Sequence, residues 1–75
     1  MYYVYLLKRL DNHQTYVGYT SDLKRRFGEH RYKRPQLVYY EAYRSEEDAR
    51  KRERTLKQRG QTVRRLKERL KNSLL

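Results

Sequence analysis

The sequence lacks cysteine altogether and has a single proline among its 75 residues. Without cysteine, neither a disulfide framework nor a thiolate metal site can stabilise the fold, so the core depends on apolar packing alone. No apolar run is long enough to span a bilayer, and the apolar start from Met1 to Leu7 lacks the basic region of a signal peptide. We therefore expect a cytoplasmic protein.

Acidic residues are scarce relative to basic ones. Nine Asp and Glu stand against 20 Lys and Arg, which gives a net charge of +11 and a pI near 10.2. Such a balance predicts a polyanionic partner, with DNA first and RNA second. A membrane surface is disfavoured because no predicted helix combines a broad apolar face with the basic one. A merely solubilising surface is the simpler alternative, but it does not require so one-sided a charge.

Phenylalanine occurs once, whereas tyrosine occurs nine times. Each tyrosine contributes apolar area and a hydroxyl that needs a partner when it is buried. Nine tyrosines are more than a core of this size needs. Some of them are therefore expected to take part in chemistry or to contact a ligand.

Two apolar segments separated by a polar turn predict a β-hairpin at the start of the chain. Residues 2–10 have aromatic and branched side chains on both alternating faces, which is typical of a central strand. Residues 11–14 form the polar turn, and residues 15–19 resume a strand. A third strand is predicted at residues 37–43.

Three helices are predicted around the third strand. The first starts near the cap candidates at 20–21 and runs to about Arg31. The second follows Ser45 as its N-cap and is stopped by Gly60 in the manner of a C-terminal cap. The third has an apolar stripe within residues 63–74.

The predicted order is ββαβαα, without a linker or repeat. It indicates an α+β fold in which a small three-stranded, mixed or antiparallel sheet is flanked by helices. At this length the chain has room for one domain, over residues 1–75.

Two charged residues lie at apolar positions of the predicted helices. Arg26 follows Leu23 by three residues, at the edge of the apolar stripe of the first helix. Glu53 lies between Ala49 and Leu56 on the inward stripe of the second helix. An inward carboxylate is unfavourable unless it is paired or binds a metal. A structural ion pair, for instance between Glu53 and Arg26, and a metal site both remain open.

The hairpin brings further candidate residues together. If the polar cluster forms the whole turn, Arg9 opposes Tyr16 and Leu7 opposes Gly18. Tyr5, Tyr16 and Gly18 then share one face of the sheet. Because Gly18 has no side chain, another group can approach its backbone closely. Plain aromatic packing is the alternative explanation for both tyrosines.

Four segments of the sequence resemble the GIY-YIG endonuclease family. They are Tyr3-Val4-Tyr5, Tyr16-Val17-Gly18, Arg26, and Glu53 within the block Arg52-Glu53-Arg54-Thr55-Leu56-Lys57. The likeness covers essentially the whole chain and looks closest to the compact stand-alone bacterial members described as UvrC-like or excinuclease-C-like. Tyr3 replaces the glycine of the first motif, a variation common in the small members.

The resemblance implies a metal-dependent nuclease with a role for each matched residue. Glu53 would bind one Mg²⁺ or Mn²⁺, the only cofactor expected, since magnesium keeps most of its waters and needs few carboxylates. Arg26 would bind the scissile phosphate and stabilise charge in the transition state. One of Tyr5 and Tyr16 would activate the attacking water and the other would position it. The residues do not show which tyrosine is the base.

Further residues are expected around this site. The resemblance implies a catalytic contribution from His30, although a helix-end histidine interacting with the helix dipole is equally ordinary. Asn72 is the only candidate for the family's late asparagine. Four residues are predicted to contact nucleic acid: Thr20, Lys24, Arg25 and Lys57.

Two functions from different classes are consistent with these patterns. The first is an endonuclease that cuts structured or single-stranded DNA in repair or recombination. The second is a catalytically idle basic module that binds DNA or RNA on the same fold. A ribosome-associated basic protein would explain the charge but not the set Tyr5, Tyr16, Arg26 and Glu53.

Overall fold

The computed structural model describes residues 1–29 and 35–75. Its secondary structure follows the predicted order ββαβαα and comprises β1 (Tyr2–Arg9), β2 (Thr15–Thr20), α1 (Leu23–Glu29), β3 (Pro35–Tyr43), α2 (Glu46–Gln58) and α3 (Gly60–Arg69). Within those ranges, no helix has the length and apolar character needed to cross a membrane.

Strand β1 lies in the middle of the sheet, in the order β2-β1-β3, and pairs antiparallel with both neighbours. Its four central residues, Val4 to Leu7, are all buried. Because alternate side chains of a strand point to opposite faces, continuous burial means that both faces of β1 are covered. The prediction of a central first strand is therefore confirmed, and the sheet is antiparallel throughout.

Helices α2 and α3 cover one face of the sheet, here called the helix face. The core on this face joins one sheet residue to three helix residues, Val4, Ala49, Leu56 and Leu66. The small Ala49 is completely buried, which lets α2 approach the sheet closely.

The opposite face of the sheet is here called the tyrosine face. The pairing of the strands assigns to it Tyr3, Tyr5 and Leu7 of β1, Tyr16, Gly18 and Thr20 of β2, and Leu37 and Tyr40 of β3. Helix α1 lies on this side, because Leu23 and Phe27 line one cleft together with Tyr3 and Tyr40. The two faces therefore carry different helices.

The register of the hairpin differs from the predicted one by two residues. Leu7 pairs with Tyr16, not with Gly18, and Tyr5 pairs with Gly18. The backbone N–H of Arg9 donates to the carbonyl of Gln14 (2.9 Å). The turn therefore comprises residues 10–13 and not the predicted residues 11–14. A shift of two residues leaves every side chain on its face, so the predicted sharing of a face survives.

Two local features explain the earlier closure of the loop. The side-chain oxygen of Asn12 accepts a hydrogen bond from the backbone of Gln14 (3.0 Å), and His13 has a φ of 59°. An Asx-type bond and a left-handed residue together reverse the chain within few residues. Leu10, predicted to belong to the strand, lies in this turn and is 45% exposed.

The junction between α2 and α3 also differs from the prediction. Gly60 is not a left-handed C-terminal cap, because it has no positive φ and is the first residue of α3. The chain breaks at Arg59 instead, in an extended conformation (φ −112°, ψ 94°). The carbonyl of Arg59 accepts from Thr62 (2.9 Å), so α3 starts without a loop. The N-terminus of α2 is as predicted, with Ser45 accepting from the backbone of Asp48 (3.3 Å).

Candidate active site

Tyr5 lies at the centre of the tyrosine face and is only 6% exposed. Its ring extends across the neighbouring strand at Gly18. A Cβ atom added to Gly18 would lie 2.3 Å from both Cζ and the hydroxyl oxygen of Tyr5. The group that approaches the glycine backbone is therefore Tyr5 itself, and glycine is required because any side chain would occupy the space of the ring.

Tyr16 lies on the same face but near the turn of the hairpin, and it is 42% exposed. Its hydroxyl donates to the side-chain oxygen of Gln14 (2.9 Å). Hydrogen bonds to Asp11 and to the Tyr16 hydroxyl raise the pKa of Arg9 above its ordinary value. The Tyr16 hydroxyl thus reaches solvent between an amide and a guanidinium group, whereas Tyr5 is enclosed.

Arg26 is half-buried on α1, the helix that lies on the tyrosine face. The start of this helix is organised by Asp22, whose carboxylate accepts from the backbone of Arg25 (3.1 Å). The Asp22 carbonyl accepts from the backbone N–H of Arg26 (3.0 Å). The fold therefore brings Arg26 to the same side of the sheet as Tyr5 and Tyr16.

Thr20, predicted to contact nucleic acid, is buried with 6% exposure. Its hydroxyl donates to the carbonyl of Asp22 (3.1 Å) and accepts from the Asp22 N–H (3.0 Å). Both hydrogen bonds lie within its own turn, so Thr20 shapes the connection from β2 to α1. Its predicted contact with nucleic acid stays a prediction.

Glu53 lies on α2, on the other side of the sheet from Tyr5 and Tyr16. Its side chain is 21% exposed, and its carboxylate is 3.2 Å from the ammonium of Lys57, one turn further along the helix. Ala49 and Leu56, on either side of it in sequence, are almost fully buried. Glu53 therefore occupies the border of the core, not its interior, and is paired within its own helix.

The orientation of α2 directs Glu53 toward the edge strand β2. Glu46 and Arg50 precede Glu53 on the same helical stripe, and both contact Tyr19 of β2. The Tyr19 hydroxyl donates to Glu46 (2.7 Å), and the Arg50 guanidinium carbon lies 4.9 Å from the centre of the Tyr19 ring. The sheet face that carries Tyr5 and Tyr16 also carries α1 with Arg26, whereas Glu53 lies on the helix face, on the stripe of α2 that contacts β2.

A cleft of about 350 Å³ opens beside Glu53, lined also by Glu46, Glu47, Arg50 and Arg54. Within residues 1–29 and 35–75, no group of three or more His, Cys, Asp or Glu side chains is placed to bind a metal. A single accessible carboxylate still suits Mg²⁺, which is often held by one or two carboxylates, water and substrate phosphate. Because Lys57 is exposed, its ion pair with Glu53 is weak and does not prevent the carboxylate from binding a metal ion.

An ionic cluster that the sequence patterns did not reveal holds α2 on the sheet. Glu41 of β3 faces the helices, and Arg52 of α2 donates to both of its oxygens at 3.0 Å. Tyr39 (2.8 Å) and Tyr43 also donate to this carboxylate. The alternation of side chains along a strand places Tyr39, Glu41 and Tyr43 on one face of β3. A carboxylate on an inward face needs a partner, so Glu41 could have indicated this cluster from the sequence.

This cluster perturbs the titration of its members. Burial raises the pKa of Glu41, but the hydrogen bonds from Arg52, Tyr43 and Tyr39 outweigh it, so the net pKa is below the ordinary value. Burial and the bond to Glu41 raise the pKa of Tyr43 to about 12. The Glu41–Arg52 ion pair fixes the rotation of α2 about its axis. Because Glu53 directly follows Arg52, the same rotation turns Glu53 toward β2.

The remaining predicted residues lie on the surface or outside the described ranges. Lys24 and Arg25 are exposed on α1, and Lys57 is exposed on α2. Asn72 is exposed in the turns after α3. His30 falls outside the residues that the structure describes.

The model of the GIY-YIG catalytic domain matches residues 1–68 of the chain. No curated protein and no solved structure matches it.

Proposed function

The chain belongs to the GIY-YIG catalytic domain family, and we propose that it is a divalent-metal-dependent endonuclease for structured or single-stranded DNA in repair or recombination. Membership implies a nuclease that acts on DNA. The observation that carries the proposal for this chain is the packing of Tyr5 across Gly18. It fixes one motif tyrosine against the glycine of the other motif and leaves Tyr16 open to solvent.

The two tyrosines have different surroundings and therefore different tasks. Tyr16 is the general base: in its deprotonated form the accessible oxygen accepts a proton from the attacking water, and the side chain of Gln14 can orient it. The guanidinium of Arg9 neutralises the negative charge that this oxygen carries before it accepts the proton. Tyr5 is enclosed, so it positions water and phosphate and does not carry the proton away.

Arg26 and Glu53 act on the phosphate from the two sides of the β2 edge. The planar guanidinium of Arg26 binds two phosphate oxygens in a fork and stabilises the additional charge of the transition state. Glu53 is the residue that would hold the metal ion, in place of its present contact with Lys57. A bound Mg²⁺ or Mn²⁺ supplies charge neutralisation at the phosphoryl oxygens.

The test is a nicking assay with supercoiled plasmid and with branched or single-stranded DNA, in Mg²⁺, Mn²⁺ or EDTA. We expect cleavage only with metal, and a loss of about 100-fold or more for Glu53→Gln and for Arg26→Ala. Glu68→Gln and Arg64→Ala on α3 are matched controls, because both side chains are exposed on the helix side of the sheet. Their cleavage should equal that of the wild type.

The alternative is an idle binding module, and the same experiment separates the two functions. Salt-dependent DNA binding without metal-dependent cleavage by the wild type would establish the idle module. Equal cleavage by wild type and Glu53→Gln would overturn the assignment of the metal ligand and indicate a contaminating nuclease.

A further inference from the structure

A second cleft lies on the tyrosine face, between α1 and strands β1 and β3. It has a volume of about 470 Å³, within the roughly 300–1,000 Å³ typical of small-molecule sites. Its walls are formed mainly by Tyr3, Phe27, Leu37 and Tyr40, and its rim carries Asp22 and Lys24. None of these six residues belongs to the proposed catalytic set.

The aromatic wall of this cleft is both held in place and accessible. The rings of Tyr3 and Tyr40 meet edge to face, with centroids 6.0 Å apart and planes inclined by 66°. Tyr40 is nevertheless 52% exposed, among the most exposed large hydrophobic residues in the described ranges. An aromatic ring fixed by a neighbour and open to solvent is suited to stacking with a flat ligand.

The charge of the molecule identifies the class of flat ligand. With a net charge of +11, the chain attracts polyanions, and Lys24 places one cation at the rim of the cleft. Nucleic acid combines phosphates with flat bases, and binding of unpaired bases to aromatic side chains within a basic groove is a general mode of recognition. Asp22 adds an acceptor for the amino groups of a base.

We propose that this cleft binds an unpaired nucleobase of the DNA strand that is cut, with Tyr40 as the stacking surface. The inference rests on the proposed function and specifies its substrate as DNA with at least one unpaired nucleotide beside the scissile phosphate. In a continuous duplex both faces of each base are covered by neighbouring bases. Such a base cannot enter a cleft whose floor is a protein side chain unless it leaves the stack.

The position of the cleft accounts for its link to catalysis. Tyr40 of β3 and Tyr5 of β1 are directly paired residues, and side chains of such pairs are in reach of one another. A base stacked on Tyr40 therefore belongs to a nucleotide near the one at Tyr5. Binding in the cleft selects which phosphate comes to the β2 edge.

The experiment measures DNA binding in EDTA, so it does not depend on cleavage. Fluorescence anisotropy compares a single strand with a duplex of the same sequence for the wild type, Tyr40→Leu and Tyr40→Phe. Leucine keeps the apolar bulk without the aromatic face, and phenylalanine keeps the face. We expect Tyr40→Leu to weaken single-strand binding about tenfold and to leave duplex binding unchanged, with Tyr40→Phe within about twofold of the wild type.

Further measurements identify the origin of the effect. The fluorescence of a 2-aminopurine base in the single strand should be quenched on binding to the wild type and to Tyr40→Phe, and not on binding to Tyr40→Leu. Equal losses for single strand and duplex, or an equal loss for both variants, would overturn the base site. A change in sedimentation on Tyr40→Leu without DNA would show instead that the face joins two copies of the chain. Absence of cleavage by the wild type would reject the nuclease and leave this binding result standing.

Discussion

At the scale of single residues, the contact between Gly18 and Tyr5 is the most restrictive feature of the site. Gly18→Ala places a methyl group 2.3 Å from the Tyr5 ring, and the buried ring cannot simply swing away. We expect a loss of about 1–3 kcal/mol in the free energy of unfolding, as for other overpacked sites. Urea denaturation measures this loss.

A double-mutant cycle tests the cause of that loss. In a Tyr5→Leu background the methyl group meets no ring, so Gly18→Ala should cost less than about 0.5 kcal/mol. Tyr5→Phe is the matched control, because it removes the hydroxyl and keeps Cζ in place. An undiminished cost in the leucine background would mean that the strain lies in the backbone of Gly18 and not in its contact with Tyr5.

The difference in exposure between the tyrosines predicts a difference in pH dependence. Tyr16→Phe should lower kcat by about 10²–10⁴-fold and remove the rise of the rate with pH that a general base produces. Its effect on stability should stay within about 0.5 kcal/mol, because Tyr16 is 42% exposed. Tyr5→Phe should lower kcat while keeping the shape of the profile. The reverse pattern in single-turnover rates would exchange the two roles.

At the scale of secondary structure, much of the molecule followed from sequence patterns. The central strand β1 was predictable because apolar residues occupy both of its faces, and the start of α2 because Ser45 has an acidic first turn after it. The hairpin register was not, because moving a four-residue turn by one position shifts the register by two, keeps every strand side chain on its face and exposes only Leu10. Gly60 was misassigned since a backbone break at Arg59 serves as well as a left-handed glycine.

The site was predictable in the same uneven way. Tyr5 and Tyr16 lie on the same face in every register that differs by an even number of residues. The predicted sharing of a face was therefore correct although the predicted turn was not. The location of Glu53 depended on the rotation of α2, which periodicity gives only to within a residue. The Glu41–Arg52 pair fixes that rotation through contacts between segments far apart in sequence. Such contacts leave no periodic signal in either segment alone.

The Glu41–Arg52 pair is expected to stabilise the packing of α2 on the sheet. Arg52→Met leaves a carboxylate of 15% exposure without its cation. We expect a loss of about 2–3 kcal/mol in the free energy of unfolding, below the roughly 3–5 kcal/mol of a fully buried pair because Arg52 is 28% exposed. The double variant Glu41→Gln with Arg52→Met should recover part of it. Thermal or urea denaturation of the wild type and of both variants provides the comparison.

The same pair predicts the direction of the acid dependence of stability. The pKa of Glu41 is lower in the folded chain than its ordinary value, so its contribution is complete above the unfolded pKa of about 4.3. It is lost as the pH falls from there through the folded pKa. Below pH 5, stability should therefore fall less steeply in Glu41→Gln than in the wild type. Parallel curves would show that other carboxylates cause the acid unfolding.

At the scale of the whole molecule, the fold separates two surfaces that are both basic. The chain measures 33 × 29 × 19 Å, about one turn of duplex DNA in its longest direction. The sheet therefore offers two possible binding sides, the tyrosine face with α1 and the helix face with α2 and α3.

The proposed active site requires that DNA bind on the α1 side. Lys24 and Arg25 are exposed there, whereas Arg64 and Arg65 are exposed on α3. Each pair provides two positive charges, so replacing either by alanine changes the net charge equally. If phosphates contact the α1 side, Lys24→Ala with Arg25→Ala should reduce the slope of log K against log salt by about 2. Arg64→Ala with Arg65→Ala should change this slope much less, because these residues would act on DNA only through the overall electric field of the molecule. Equal changes from both pairs would mean that DNA is attracted by net charge alone, without a defined binding side.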